Sequence, residues 1–217
     1  MKILCLIPLL LLGLPAAAPV HAQGSSATVE QSGSGSVAFI DQAAAVRGMA
    51  VIRQAGPANR ASVTQVGVDH VGVVEQDGSG NELSLLMAGA GNQATAQQDG
   101  AGNRADLATR GEANIARLFQ KGGSLDLTQE GSGNEAEVEQ SGGSGAAIVQ
   151  DGSGNRIDLD QSGGADARLT QIGSNNSIDA AQAGGSLDLT QIGAGLVAPT
   201  VQTTSGATIH VVQTGIR

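Results

Sequence analysis

Histidine is the side chain best suited to proton transfer near neutral pH, and beyond His21 the chain has two, His70 and His210. They fall in different units of a repeat, no cysteine stands near either, and no serine occupies a Gly-x-Ser-x-Gly turn ahead of a helical pattern. A nucleophile–base pair therefore has no parts, and no catalytic residue is assigned. His70 stands where other units have Asn, which makes it a turn or inward polar residue rather than a metal ligand. Gly-Ser-Gly at 33–35, 78–80, 131–133 and 152–154 is turn sequence, since no Gly-Lys-Ser/Thr and no helix follows to hold a phosphate. Gly-Gly-Ser-Leu-Asp-Leu has the paired Gly and the Asp of calcium-binding β-roll repeats but lacks their third Gly. No cofactor and no metal site is expected. What remains is amide chemistry: glutamine and asparagine at regular spacing, able to donate and accept in series.

The segments that carry those amides follow a leader. Lys2, the apolar run from Ile3 to Leu14 and the small residues ending Val20-His21-Ala22 read as a secretory signal peptide over 1–22, cleaved after Ala22. Cys5 leaves with it, so the 23–217 portion has no thiol for disulfides. Without Lys2, ten basic residues face 20 acidic ones, which disfavours nucleic acid or an anionic membrane as partner. With two Phe, no Tyr and no Trp among 217 residues, the interior must be Ala, Val, Ile and Leu.

Glutamine recurs at Gln31, Gln42, Gln54, Gln65, Gln76, Gln98, Gln120, Gln129, Gln140, Gln150, Gln161, Gln171, Gln182, Gln191, Gln202 and Gln213, with Met87 and Thr109 in the two missing places. These eighteen units are nine to twelve residues long, and Gly stands two places after the Gln position in sixteen of them. Asn59, Asn81, Asn92, Asn103, Asn114, Asn134, Asn155 and Asn176 follow at the fifth place. The four residues before each Gln decide the element. Positions −4 and −2 are Ala, Val, Ile or Leu in 34 of 36 cases, while −3 and −1 are mostly polar. That period of two, bounded by Gly and Asn, predicts half-buried strands with Asn, the apolar pair and Gln all facing inward.

In the second half, Gly-Gly turns after Gln120, Gln140, Gln161 and Gln182 alternate with longer Gly-Ser-Gly-Asn or Gly-Ser-Asn-Asn turns after Gln129, Gln150 and Gln171. Two turn types in alternation mean two strands per rung. The expected fold is all-β, a solenoid of about nine strand-turn-strand rungs forming two stacked parallel sheets, cross-β and amyloid-like.

Sorting by rung gives two glutamine columns. One holds Gln31, Gln54, Gln76, Gln98, Gln120, Gln140, Gln161, Gln182 and Gln202 without a break; the other is interrupted by Met87 and Thr109. An inward amide is costly alone but is satisfied when each NH₂ donates to the next rung, roughly 4.8 Å away. The interruption predicts a less stable seam at rungs four and five. Pro199, with Thr200 in an apolar slot, disturbs the step from the eighth rung to the ninth. Outside, Glu137, Asp158 and Asp179 share one column with Glu139 and Asp160 beside them. Their closeness predicts assembly speeded by acid or a divalent cation, against the plainer expectation of a solvated acidic face.

These residues resemble the curlin repeat, Ser-x5-Gln-x-Gly-x-x-Asn-x-Ala-x3-Gln, of bacterial curli amyloid subunits. Gln76-Asp77-Gly78-Ser79-Gly80-Asn81 and Gln129-Glu130-Gly131-Ser132-Gly133-Asn134-Glu135-Ala136 carry the match best, and the register extends over nearly all of 25–217. The Ser opening each repeat is mostly absent, and there are more rungs than in the best-known members. The resemblance implies a secreted subunit that polymerises with itself on the cell surface into biofilm and adhesion fibres. It also implies a second curlin-type subunit and an outer-membrane secretion pore with accessory proteins as partners. No nucleic acid and no small-molecule substrate is expected. The alternative reading is a secreted, monomeric β-solenoid adhesin that does not polymerise.

Overall fold

Wherever the apolar/polar alternation runs, the chain is extended, and wherever Gly or the residue before the corner Asn intervenes, it turns. The computed structural model describes residues 24–198, 200–204 and 206–215. The leader with its cleavage point, Cys5 and Pro199 lie outside them. The first four rungs are β1 (Ser26–Ser32) with β2 (Val37–Val46), β3 (Met49–Ala55) with β4 (Arg60–Val68), β5 (Val71–Ser79) with β6 (Glu82–Ala90), and β7 (Gln93–Ala101) with β8 (Arg104–Glu112). The fifth and sixth are single bent strands, β9 (Ile115–Ser132) and β10 (Glu135–Ser153). The last three are β11 (Arg156–Ser162) with β12 (Asp166–Ser174), β13 (Ser177–Ala183) with β14 (Ser186–Ala194), and β15 (Val201–Thr204) with β16 (Thr208–Thr214).

All these strands pair in parallel. The first sheet runs β1-β3-β5-β7-β9-β10-β11-β13-β15, and the second runs β2-β4-β6-β8, through the later halves of β9 and β10, to β12-β14-β16. The described residues thus form a two-sheet parallel β-solenoid without helices, with eight steps from the first rung to the last in each sheet. The Gly-Gly corners of rungs five and six are tight enough that strand geometry continues through them, which is why β9 and β10 are 18 and 19 residues long.

The core is the narrow space between the sheets. Ala50, Ile52, Val63, Leu85, Leu107, Leu127, Val138, Ile148, Leu159, Leu169, Ile178 and Leu189 fill it and are fully or almost fully buried. Burial of each Leu or Ile contributes roughly 1.5–3 kcal/mol. Fit across the gap is local: Gly72 takes an inner slot that Ala or Ile holds elsewhere in the first sheet, because a Cβ there would meet the tip of Met87 and a methyl of Leu85.

The regular count fails at the ninth rung. Ser177 pairs with Val197 and Ala180 with Val201, so the register shifts by one residue between these two pairs. A one-residue slip exchanges inside and outside. Gln202 therefore pairs with Ala181 and is exposed, Thr200 is exposed, and Val201 and Thr203 turn inward, with Thr203 opposite Gln182. The expected place of Gln202 in the first column is thereby corrected. The sequence supplies the reason: the regular count would set Pro199, which has no N–H, within the ladder and would bury the Thr200 hydroxyl in place of the Val201 side chain. A second irregularity, between Asp41 and Ala44, is absorbed without moving Gln42 off its column.

Candidate functional site

The polar side chains that the fold gathers form two ladders, one continuous and one interrupted, and two stapled corners. In the first sheet Nε2 of Gln31 donates to Oε1 of Gln54, and the same bond repeats from Gln54 to Gln76, Gln98, Gln120, Gln140, Gln161 and Gln182, the last six at 2.7–2.9 Å. Donation always runs from the earlier rung to the later. A second bond fixes that direction: the other N–H of Gln76 reaches Arg60 O at 2.9 Å, an acceptor that an amide oxygen could not use. Gln98, Gln120, Gln140 and Gln161 do the same with Glu82, Arg104, Ser124 and Gly145.

In the second sheet Gln42 donates to Gln65 at 2.6 Å, and Gln129, Gln150, Gln171, Gln191 and Gln213 are linked by bonds of 2.8–3.0 Å. Between them lie Met87 and Thr109, so the break occupies rungs three and four, one earlier than the seam the sequence suggests. Its cost is visible in two buried oxygens with no partner, Thr109 Oγ1 and Gln129 Oε1.

The asparagines act through the backbone. Asn114 Nδ2 donates to Arg110 O at 2.9 Å and to Gly131 O on the next rung at 3.1 Å, while its Oδ1 accepts the N–H of Asn134 at 3.0 Å. Asn92, Asn134, Asn155 and Asn176 continue that corner, and Asn59, Asn81 and Asn103 form the matching one on the other side. In rungs five to eight Gly-Gly replaces the second of these corners. His70 takes an Asn place, fully buried, with Nε2 3.0 Å from Val66 O and Nδ1 unpartnered.

Two parts of the machinery were hidden in the spacing. The Gly that stands two places after most Gln positions can be demanded twice over, as Gly78 shows: its φ is +110°, and a Cβ there would overlap Gly100 O of the next rung. The residue before each corner Asn is left-handed, a state glycine holds at Gly91 and Gly133 but Ala58 and Ala113 hold at φ +60° and +54°.

Outside, Glu137, Asp158 and Asp179 do stack in one column, and Glu139 faces Asp160. Arg156 lies 2.7 Å from Glu135 and 3.3 Å from Asp158, and Arg117 approaches Glu135 from the other side at 2.7 Å. Hydrogen bonding to Arg117 above all, with Arg156 adding to it, holds the Glu135 carboxyl below the usual range. Among the described residues no group of three or more His, Cys, Asp and Glu side chains is placed to hold a metal ion. On the second sheet a shallow open depression over Gly145 and Ala147, edged by Asp166, Arg168 and Asp188, gathers no opposed acid and base.

The curlin associated repeat matches residues 56–85 and 123–163. Both stretches carry the curlin associated repeat. The first matched stretch holds Asn59, Gln65, Gln76 and Asn81, and the second holds Gln129, Asn134, Gln140, Gln150, Asn155 and Gln161. In each curlin repeat the Gln is thus a rung-to-rung amide and the Asn a staple between a side chain and the next backbone. Comparison with the curated proteins and with the solved structures returns no match.

Proposed function

We propose that this chain is a structural subunit of an extracellular, curli-like amyloid fibre that adds end to end and serves biofilm matrix and surface adhesion. The observation that carries the reading is the continuity of two parallel ladders, β1 to β15 and β2 to β16, with core residues half-open at both ends: Val29, Ala38 and Ile40 at one, Ile209 and Val211 at the other. Parallel edges left open in this way template another chain, with backbone bonds providing affinity and the amide ladders fixing register. The family match supports a self-assembling structural role rather than catalysis. Secretion to the cell surface after cleavage near Ala22, a second curlin-type subunit, and an outer-membrane pore with accessory proteins complete the proposal on family grounds. The roles of the Gln and Asn residues as register-setting elements belong to it as well.

One observation favours a monomeric adhesin instead: Val201 and Thr203, in the last strand of the first sheet, are already buried. Thioflavin-T fluorescence with electron microscopy on chain diluted from denaturant separates the two. Fibres that appear after a lag, with the lag abolished by seeds, are the expected result. A soluble β-rich monomer that never seeds would transfer the reading to the adhesin.

A further inference from the structure

The two sheets end differently. At the first rung both columns offer an acceptor, since Gln31 and Gln42 each donate Nε2 onward and no donor among the described residues reaches their Oε1 atoms. At the last rung the second sheet presents the complement. Gln213 accepts from Gln191 through Oε1 and spends one N–H on Val197 O, which leaves the second N–H directed along the ladder. Ile209, Val211 and Gln213 are half-buried, as are Ala38, Ile40 and Gln42 at the other end. The first sheet presents no such complement. Its last inner positions, Val201 and Thr203, are buried, and the Thr203 hydroxyl donates to Gly184 O at 2.9 Å. The one-residue slip between Ala198 and Val201 has put a closed hydroxyl where the column otherwise offers an amide donor.

We infer that copies of this chain join through the second sheet, β16 of one copy against β2 of the next, with Gln213 donating to Gln42, while the slipped end of the first sheet adds no amide bond. This inference rests on the self-assembly reading above. Extending the rung register across the junction sets Val211 against Ile40, Ile209 against Ala38 and His210 against Phe39. The first two are inward pairs of the kind found along the whole core. The third is an outward pair, both members of which are exposed. The join is accordingly weaker than any internal step between fully laddered rungs, and its register is set on one side only.

Cysteine cross-linking reads this directly, because neighbouring parallel strands stand about 4.8 Å apart, within the Cα separation a disulfide spans. In a Cys5→Ser chain, one variant carries Phe39→Cys and His210→Cys, and another carries Glu30→Cys and Gln202→Cys, the corresponding outward pair of the first sheet. Fibres of each are oxidised, dissolved in denaturant and run without reductant. The expected result is a ladder of covalent oligomers from the second-sheet pair, with at least several-fold less from the first-sheet pair. Fibres in which the first-sheet pair cross-links as well as or better than the other would overturn the inference while leaving self-assembly intact. Failure of the Cys5→Ser parent to form fibres would remove both. Seeded growth gives an independent reading: Gln42→Leu and Gln213→Leu are each expected to slow it several-fold, and Gln31→Leu by much less. Equal slowing by all three would count against a one-sided join.

Discussion

The two glutamine ladders are built from the same side chain at the same spacing, yet one runs unbroken from Gln31 to Gln182 and the other is cut at Met87 and Thr109. The difference shows what an inward amide requires. In the first sheet each Gln from Gln54 to Gln161 has its two N–H groups and its oxygen satisfied, so burial costs nothing further. At the gap the backbone register continues without a shift, but two buried oxygens lose their partners. The gap is tolerated because packing compensates: Met87 spreads over the space left by Gly72 and joins the apolar core. Register is thus held redundantly, by backbone, by core and by amides, and losing one of the three over two rungs leaves the stack intact.

Making the intact ladder resemble the broken one should have the largest effect. Gln98→Leu strands the Gln76 N–H and the Gln120 oxygen in a dry interior without the compensating space, and is expected to cost about 3 kcal/mol in urea unfolding. Mending the broken ladder runs the other way. Thr109→Gln places a donor one rung below the orphaned Gln129 oxygen and removes an unpartnered hydroxyl, for an expected gain of about 1 kcal/mol. A loss from Thr109→Gln would mean that the core around the gap has closed too far to admit the amide, and that its packing outweighs its polar deficit.

The outer surface offers a smaller contrast. On the first sheet Arg117, Glu135, Arg156 and Asp158 form one linked network over rungs five to seven, whereas the second sheet has separate pairs, Arg104 with Glu82 and Asp106 over rungs three and four and Arg110 with Glu130 over rungs four and five. Because the Glu135 carboxyl is held below its ordinary value of 4.5, its contribution is fully present above that value and is lost as pH falls through the lower folded value. Glu135→Gln should therefore lower stability at pH 7 by less than about 1 kcal/mol and have no effect once the carboxylate is protonated in both states. A pH series of unfolding midpoints for the two proteins checks the sign. If acid speeds assembly, it must do so against this term.

Inside and outside were legible from the alternation alone through the eighth rung, because a half-buried strand reports its parity at every second residue. The ninth defeated the same count in β15, since Pro199, three residues before Gln202, cannot donate to a ladder, and one inserted position reversed the side chains of Val201–Thr204 while β16 kept its register. The columns were legible because stacking makes equal sequence positions into neighbours. The compensation between Gly72 and Met87 was not, because it joins the two sheets, and no periodicity within either one reports which residues meet across the core. Nor does spacing separate a side chain that bonds to its like, as the glutamines do, from one that bonds to the backbone of the next rung, as the asparagines do. Both produce the same regular interval.

The corner beside the gap provides the smallest change. Ala113 precedes Asn114 in a left-handed conformation that Gly supplies at the same place one rung earlier and one rung later, in Gly91 and Gly133. An L-residue there carries a steric cost of roughly 1 kcal/mol, and glycine removes it while adding freedom to the unfolded chain. The net expectation for Ala113→Gly is a gain of a few tenths of a kcal/mol, read as a small rise in the unfolding midpoint. The same substitution at Ala58 relieves the same strain on the opposite corner, far from the gap. Equal gains at the two sites would show corner strain to be independent of the ladders. A larger gain at Ala113 would show that the interrupted ladder had left its corner less able to hold an unfavourable backbone, and would tie the stability of each corner to the amides stacked beside it.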